Sequence, residues 1–568
     1  MAIFRFFVLF ISILAITACF SPWQGDEYGI IEINLGVIPA RTTGFGDVPF
    51  DGIDHELILV NQETDETERI PVNSSGRIVR QVSPGTYFLS VNATINGWDY
   101  AYGSSDVFTI SVGERKNVSI EMQRLPNAIV LSIPRSQTSH FFGIAMKDAL
   151  DGILEPLEIT ISNFTGEDAN LTLAAASGNP YFEFGVPGYP DFTIPKDESI
   201  NIKITPRTNI AYRPNFSIVL NGPGGFAASL HLSSLIVDSI ITNRAELEDM
   251  PMNDGMYHIL GNDIDLGSGL WTPIGDDTDP FMGTLDGNGH SISRLVMANT
   301  SLFASGLFGQ VGTDADPKGS IRNLSLVSVS MSTDGYYEIP GTIYEGSHIG
   351  GIAGINFGTI ENVFVSGSIL ADHTDGGRYV GGIAGSNFGS IRNSYSNAMV
   401  TGTGGLPLGN RTIGGIAGLN SGIIEHCYAT GIITGAFNLG GILGMNFGSG
   451  AKLENCIALN TEIARSPDSS NTLEICRVCG VDNNDATINN YGLVEMILPS
   501  NMPTGRPLHD PEWRDGGNVT LEEAGALAWW ETPAPSGPGW TVHEHRSQAY
   551  DGSPWYWGED DRPRLWFQ

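Results

Sequence analysis

Charge is scarce in this 568-residue chain, and positive charge is scarcest. Lys and Arg number 29 against 63 Asp and Glu, and together the four types make up only 16% of the residues. The resulting formal charge of −34 repels phosphate backbones and anionic headgroups, so nucleic acid is not expected as a partner. Cysteine is almost as rare, with five residues in all. Past the N-terminus no apolar run is long enough to cross a membrane. Familiar catalytic signatures are missing too. There is no GxSxG elbow and no phosphate-cradling glycine loop. His543-Glu544-His545 sets its histidines two apart, where a zinc peptidase helix needs four. No enzyme, cofactor or metal is therefore expected. What the chain does have is 71 glycines beside 41% hydrophobic residues, a balance that suits turn-rich all-β structure with sizeable cores. At this length one core cannot serve, and several domains are expected.

The one long apolar run opens the chain. In MAIFRFFVLFISILAITAC, Arg5 precedes the apolar stretch and small residues precede Cys19, the layout of a secretory signal. Ile16-Thr17-Ala18-Cys19 resembles a bacterial lipobox. The resemblance implies a signal peptide at residues 1–18, lipid attachment on Cys19, and a spacer over residues 19–28. It implies an outer membrane lipoprotein of the bacterial envelope, exposed at the cell surface. Acyl chains would tether it firmly, at about 0.8 kcal/mol per buried CH₂.

Residues 29–125 alternate in short runs such as GIIEINLGVI, HELILVNQ and GTYFLSVNATI, parted by turn residues such as Ser83-Pro84-Gly85. Runs of this length and spacing predict a β-sandwich. SPGTYFLSVNA resembles the prealbumin-like modules of bacterial surface proteins. Residues 126–237 repeat the pattern, and LEPLEITISNFTGEDANLTL resembles an immunoglobulin-like module. Both modules are expected to act as a stalk.

From residue 238 to about 500 the pattern changes. Paired glycines begin at Gly350, Gly381, Gly414 and Gly440, each opening a strand, an Asn-x-Gly turn and a second strand. One such unit cannot bury its own apolar side, whereas stacked copies can, at about 4.8 Å per level. A parallel β-helix of about seven coils is predicted. Stacking predicts files of like residues: Asn356, Asn387, Asn420 and Asn446; Gly358, Gly389, Gly422 and Gly448; Ile360, Ile391, Ile424 and Leu453. A further file reads Asn362, Asn393, His426, Asn455, with the histidine substituting for an amide. Amide files can hydrogen-bond from level to level. TNRAELEDM, Thr242 to Met250, reads as a helical lid over the first coil.

The tetrapeptides Gly351-Ile352-Ala353-Gly354, Gly382-Ile383-Ala384-Gly385, Gly415-Ile416-Ala417-Gly418 and Gly441-Ile442-Leu443-Gly444 resemble the GLUG repeats of bacterial surface proteins. That resemblance implies adhesion and supplies no catalytic residue. The expected function is a lipid-anchored, monomeric surface protein whose β-helical face binds a glycan or a host or neighbour-cell protein. A non-adhesive envelope scaffold is the alternative, followed by a β-helical glycan hydrolase or lyase. Such an enzyme would draw on Asp263, Asp265, Asp276, Asp277 and Asp286, although Asp is also the usual corner residue. Among the internal cysteines, Cys427 and Cys456 share a register within disulfide reach, and two buried thiols suit them equally. Cys476-Arg477-Val478-Cys479 is expected to close locally. Residues 501–568 hold Trp529, Trp530, Trp540, Trp555, Trp557 and Trp566 and a Thr520/Glu523 capping box, read as a cover for the apolar end of the helix.

Overall fold

The computed structural model describes residues 28–35, 52–72, 76–148, 154–175, 181–186, 188–208, 215–298, 302–333, 346–372, 377–403, 411–466, 474–483, 486–499, 510–550 and 553–568. The expected signal peptide, Cys19 and the expected spacer, up to residue 27, lie outside these residues. The chain forms two compact units that divide between Ile236 and Val237. Its regular structure is nearly all strand.

The first unit holds two sandwiches. In the leading one a three-stranded sheet centred on Gly29–Leu35 faces a six-stranded sheet centred on Gly85–Ile95. Along Gly85–Ile95 the side chains of Tyr87, Leu89, Val91 and Ala93 are buried while their neighbours are not, as a half-buried strand requires. The Tyr87 hydroxyl donates to the Ser83 carbonyl at 2.7 Å and pins the turn at Ser83-Pro84-Gly85. In the second sandwich, sheets of four and five strands enclose Ile159, Ile161, Phe182, Ile204 and Leu232. Asn163 ends the strand Leu157–Asn163 fully buried, yet it is satisfied. Its amide donates to the Glu167 and Ile194 carbonyls at 2.8 and 2.9 Å, and its oxygen accepts from Thr165. This bonding is why a buried amide is tolerated there. The modules meet through the Arg124–Asp197 ion pair at 2.7 Å and through Trp98, which packs on Phe226 and donates to the Ile133 carbonyl.

The second unit is a stack of coils with three strand-bearing faces. In the coil that spans residues 377–403, Gly377–Gly381 lies on face A and Ala384–Asn387 on face B. Ser390–Arg392, Tyr395–Ser396 and Met399–Thr403 follow along face C. Strands of successive coils pair in parallel on every face. On face C one register runs through Ser239, His258, Leu285, Ile321, Ile360, Ile391, Ile424, Leu453 and Thr487. That is nine levels where about seven coils were expected, because the lead-in strands join the face-C sheet ahead of the repeats, while the sheets on faces A and B begin only at Ala304–Ser305 and Phe308–Val311. Ile321 through Leu453 have no exposed surface.

Glycine is obligatory in the stack because backbones touch. A Cβ on Gly389 would sit 2.1 Å from the Gly358 carbonyl oxygen, and one on Gly381 would meet the Ala384 and Ala417 backbone within 2.6 Å. The Asn356 file forms the predicted ladder. Asn356 donates to Asn387 at 2.8 Å, Asn387 to Asn420 at 2.8 Å, Asn420 to Asn446 at 2.9 Å, and Asn446 to the Asp482 carboxylate at 3.2 Å. The second polar file has a different cause. Asn362, Asn393, His426 and Asn455 are corner residues with φ of 53°, 46°, 52° and 54°, and asparagine tolerates this left-handed region best. Amide bonding joins Asn362 to Asn323 at 3.0 Å and Asn489 to Asn455 at 2.7 Å.

The lid helix is present as Arg244–Glu248, with Asn243 capping the Glu246 amide. At the other end Gly517–Val519 pairs beyond Tyr491–Leu493, and a capping box at Thr520 and Glu523 starts the helix Leu521–Ala524. The tail covers more than the end. It doubles back along the outside of face C, where Phe364, Tyr395, Tyr428, Ile457 and Tyr491 form an outward file. The Tyr428 hydroxyl donates to the Pro563 carbonyl at 2.8 Å, Trp530, Trp540 and Trp555 pack on the Tyr428 ring, and Gln568 reaches Ser325.

Candidate ligand-binding face

Each carboxylate proposed for catalysis has a local structural partner, Asp277 excepted. Asp265 forms an ion pair with Arg294, which holds its carboxyl below the usual range, and Asp263 accepts from the Ser291 amide at 2.8 Å. Asp276 accepts from the Thr278 hydroxyl and from the Thr278 and Asp279 amides, which also depress its pKa. Asp286 is buried. It accepts from the Tyr257 hydroxyl at 2.8 Å and from the Asn323 amide at 3.0 Å, and so ends the file that runs back through Asn362. The pattern is that of corner and ladder residues.

The cysteines stand as buried thiols. Cys427 and Cys456 share a register, and each Sγ donates to a carbonyl two residues back at 3.2 Å, Glu425 and Glu454 respectively. Burial pushes the Cys456 thiol well up, so it is a poor nucleophile. The expected local disulfide at Cys476 and Cys479 is not formed. The two lie on different strands, Ile475–Cys476 on face A and Cys479–Asp482 on face B, across the sharp corner that the paired glycines make elsewhere. Arg477 at that corner is buried against Asp515 at 2.9 Å, an ion pair that ties the tail to the last coil. His426 packs on Trp540, and burial lowers its pKa. His543 shares a hydrogen bond with Ser553 at 2.9 Å inside the tail. Among the described residues no group of His, Cys, Asp and Glu could hold a metal ion.

The tail tryptophans are mostly interior: Trp529, Trp530, Trp540 and Trp555 are buried, and burial, opposed in part by Arg564, pushes the Tyr395 hydroxyl up to about 12. What the stack does expose is the corner between faces B and C. There the Asn-x-Gly turns carry Phe357, Phe388, Ser421 and Phe447 at successive levels. Their amides bond in an unbroken series to the level before: Phe388 to the Asn356 carbonyl, Ser421 to Asn387, and Phe447 to Asn420. Phe357 and Phe388 stack with centroids 4.8 Å apart and planes 15° apart. Phe388 and Phe447 are 38% and 51% exposed, which is high for aromatic rings in so well packed a structure. The residue between Asn and Gly in each turn was the signal available in the sequence.

Comparison with known proteins gives partial matches. The profile of the GLUG motif matches residues 409–434. Halomucin of Haloquadratum walsbyi is 28% identical over 251 residues, 40% of this chain and 2% of that protein. A protein of Evansella cellulosilytica named "Putative Gly-rich membrane protein" is 32% identical over 134 residues, 22% of this chain and 14% of that one. The matched stretches are thus small parts of both relatives. Among solved structures, the CupB6 tip adhesin from Pseudomonas aeruginosa aligns at 11% identity and a TM-score of 0.14, covering 38% of this chain and 84% of its own. A DUF3823 family protein from Parabacteroides merdae aligns at 13% identity and 0.15, covering 36% of this chain and 99% of its own.

Proposed function

We propose that the chain is a surface-displayed, lipid-anchored binding protein, with the sandwiches as stalk and the outer face of the coil stack as the adhesive element. The observation that carries this reading is the repeat corner, where successive levels present side chains in register, with Phe388 and Phe447 exposed. A row of this kind suits an extended ligand better than a cleft does. The GLUG match and the membrane protein among the relatives support a surface location. The carboxylate roles described above favour binding over catalysis. Anchoring rests on Cys19 and its lipobox-like context. Two measurements test the reading on intact cells. Protease shaving should remove the chain, and Cys19→Ser should shift it from the membrane fraction to the soluble fraction. A chain that survives shaving untouched belongs behind the membrane as a scaffold, and the adhesive reading falls.

A further inference from the structure

The Phe corner file has one interruption. Ser421 stands where its neighbours carry a ring, although its backbone keeps the same hydrogen bond to the level before. Phe357 takes one face of Phe388, and the other face looks onto the Ser421 level. Phe447 stands one level further on. Two levels at about 4.8 Å each separate Phe388 from Phe447, leaving a gap of about 9.6 Å with one ring missing. The Ser421 side chain is too short to fill it, and its hydroxyl is held to the backbone of the next level, donating to the Phe447 carbonyl at 2.6 Å. A ring placed at this level would lie about 4.8 Å from each phenylalanine, the separation that Phe357 and Phe388 already hold.

The surroundings select the kind of ring. None of Phe357, Phe388, Ser421 and Phe447 is charged, and on the adjoining strands Arg392 pairs with Glu425 at 2.9 Å and Lys452 with Glu454 at 3.5 Å. A charged ligand would find no charged partner in the file itself, and the chain's net charge of −34 disfavours anions further. The slot is open outward, so the edge of the ligand stays in water. A ring with two apolar faces and a hydroxylated rim meets both conditions. We propose that Phe388, Ser421 and Phe447 form a binding slot for one neutral pyranose unit of a glycan. This site deepens the adhesive reading and rests on it for its biological role, while the binding itself can be measured independently.

The test is calorimetric titration of the purified full chain with cellohexaose, mannohexaose and chitohexaose. At least one should bind the wild type. Ser421→Phe, which completes the file, should weaken that binding about tenfold or more while leaving Tm unchanged or raised. Phe447→Ala, at an exposed position, should weaken it comparably and guards against a folding defect in the first variant. Failure of all three sugars to bind, or Ser421→Phe binding as tightly as wild type, overturns the slot. Beads coated with wild type or Ser421→Phe separate the two ideas. If Ser421→Phe keeps full sugar binding and both kinds of bead adhere equally to target cells, the slot falls and adhesion stands. If sugar binding is lost in the variant but wild-type beads adhere to nothing, the slot stands and adhesion falls.

Discussion

The two units solve one problem, burying apolar side chains, in opposite ways. In the sandwiches each strand alternates, and the core forms between unlike neighbours brought from two sheets, as Leu89 and Val91 show beside Ile31 and Ile33. In the coil stack a residue's main neighbour is its own counterpart one level away, as with Ile360, Ile391 and Ile424. Sandwich glycines sit mainly at turns; Gly113, for instance, would carry a Cβ that touches nothing, at a φ of 72°. Stack glycines sit where two backbones meet. A change in a sandwich is felt locally, whereas a change in the stack breaks a file.

The sharpest way to break this comparison is a pair of glycine substitutions followed by calorimetry of the full chain, where each unit should melt separately. Gly389→Val should abolish the transition of the coil stack, since its Cβ would overlap the Gly358 carbonyl. Gly113→Ala should lower the first unit by only about 1 kcal/mol through its left-handed backbone. Equal effects would refute the distinction. Next come large-to-small changes in matched, fully buried residues. Trp530→Ala, which uncovers Tyr428 and removes the bond to the Ala524 carbonyl, should cost about 3–5 kcal/mol. Ile391→Ala in the stack and Ile161→Ala in the sandwich should each cost about 2–5 kcal/mol in urea unfolding, each in its own transition. A smaller effect is expected from Asn387→Ala. It strands the Asn356 donor and the Asn420 acceptor and should cost about 1–3 kcal/mol. If the loss is negligible, the ladder is ornamental.

The effect that is smallest at neutral pH concerns acid. His348, buried between Phe303 and Tyr379 and sharing a hydrogen bond with Ser386 at 2.7 Å, has its pKa lowered by burial from 6.5 to about 3. Between those values the unfolded chain takes up a proton that the folded chain refuses. Stability of the stack should therefore fall as pH drops from about 6.5 towards 3, and His348→Phe should flatten that slope. An unchanged slope in the variant would show that other groups govern acid sensitivity.

Much of this could be read from residue order. The Ile360 and Asn356 files follow from the repeat alone, because equal positions in stacked copies must coincide. The corner file shows where such reading stops. Asn362, Asn393 and Asn455 do recur in register, but the cause is a left-handed backbone as much as amide bonding, and His426 occupies it without any ladder. The candidate slot was legible only in part. Asn-Phe-Gly, Asn-Phe-Gly, Asn-Ser-Gly, Asn-Phe-Gly is plain in the sequence, yet nothing there says that the rings face outward or that the serine turns away.

By itself the sequence determined the all-β class, the parallel stacking, its register and the glycine columns, since these depend on contacts between copies of one short pattern. Only the tertiary structure decided how unlike segments meet. The tail lies along face C through contacts between residues far apart in the chain, such as Tyr428 with Pro563 and Ser325 with Gln568. Two amide files end on carboxylates, Asp482 and Asp286, because the last donor of a buried ladder needs an acceptor that has no proton of its own to place. Such pairings carry no repeat to announce them, and they exist only once the coils have closed.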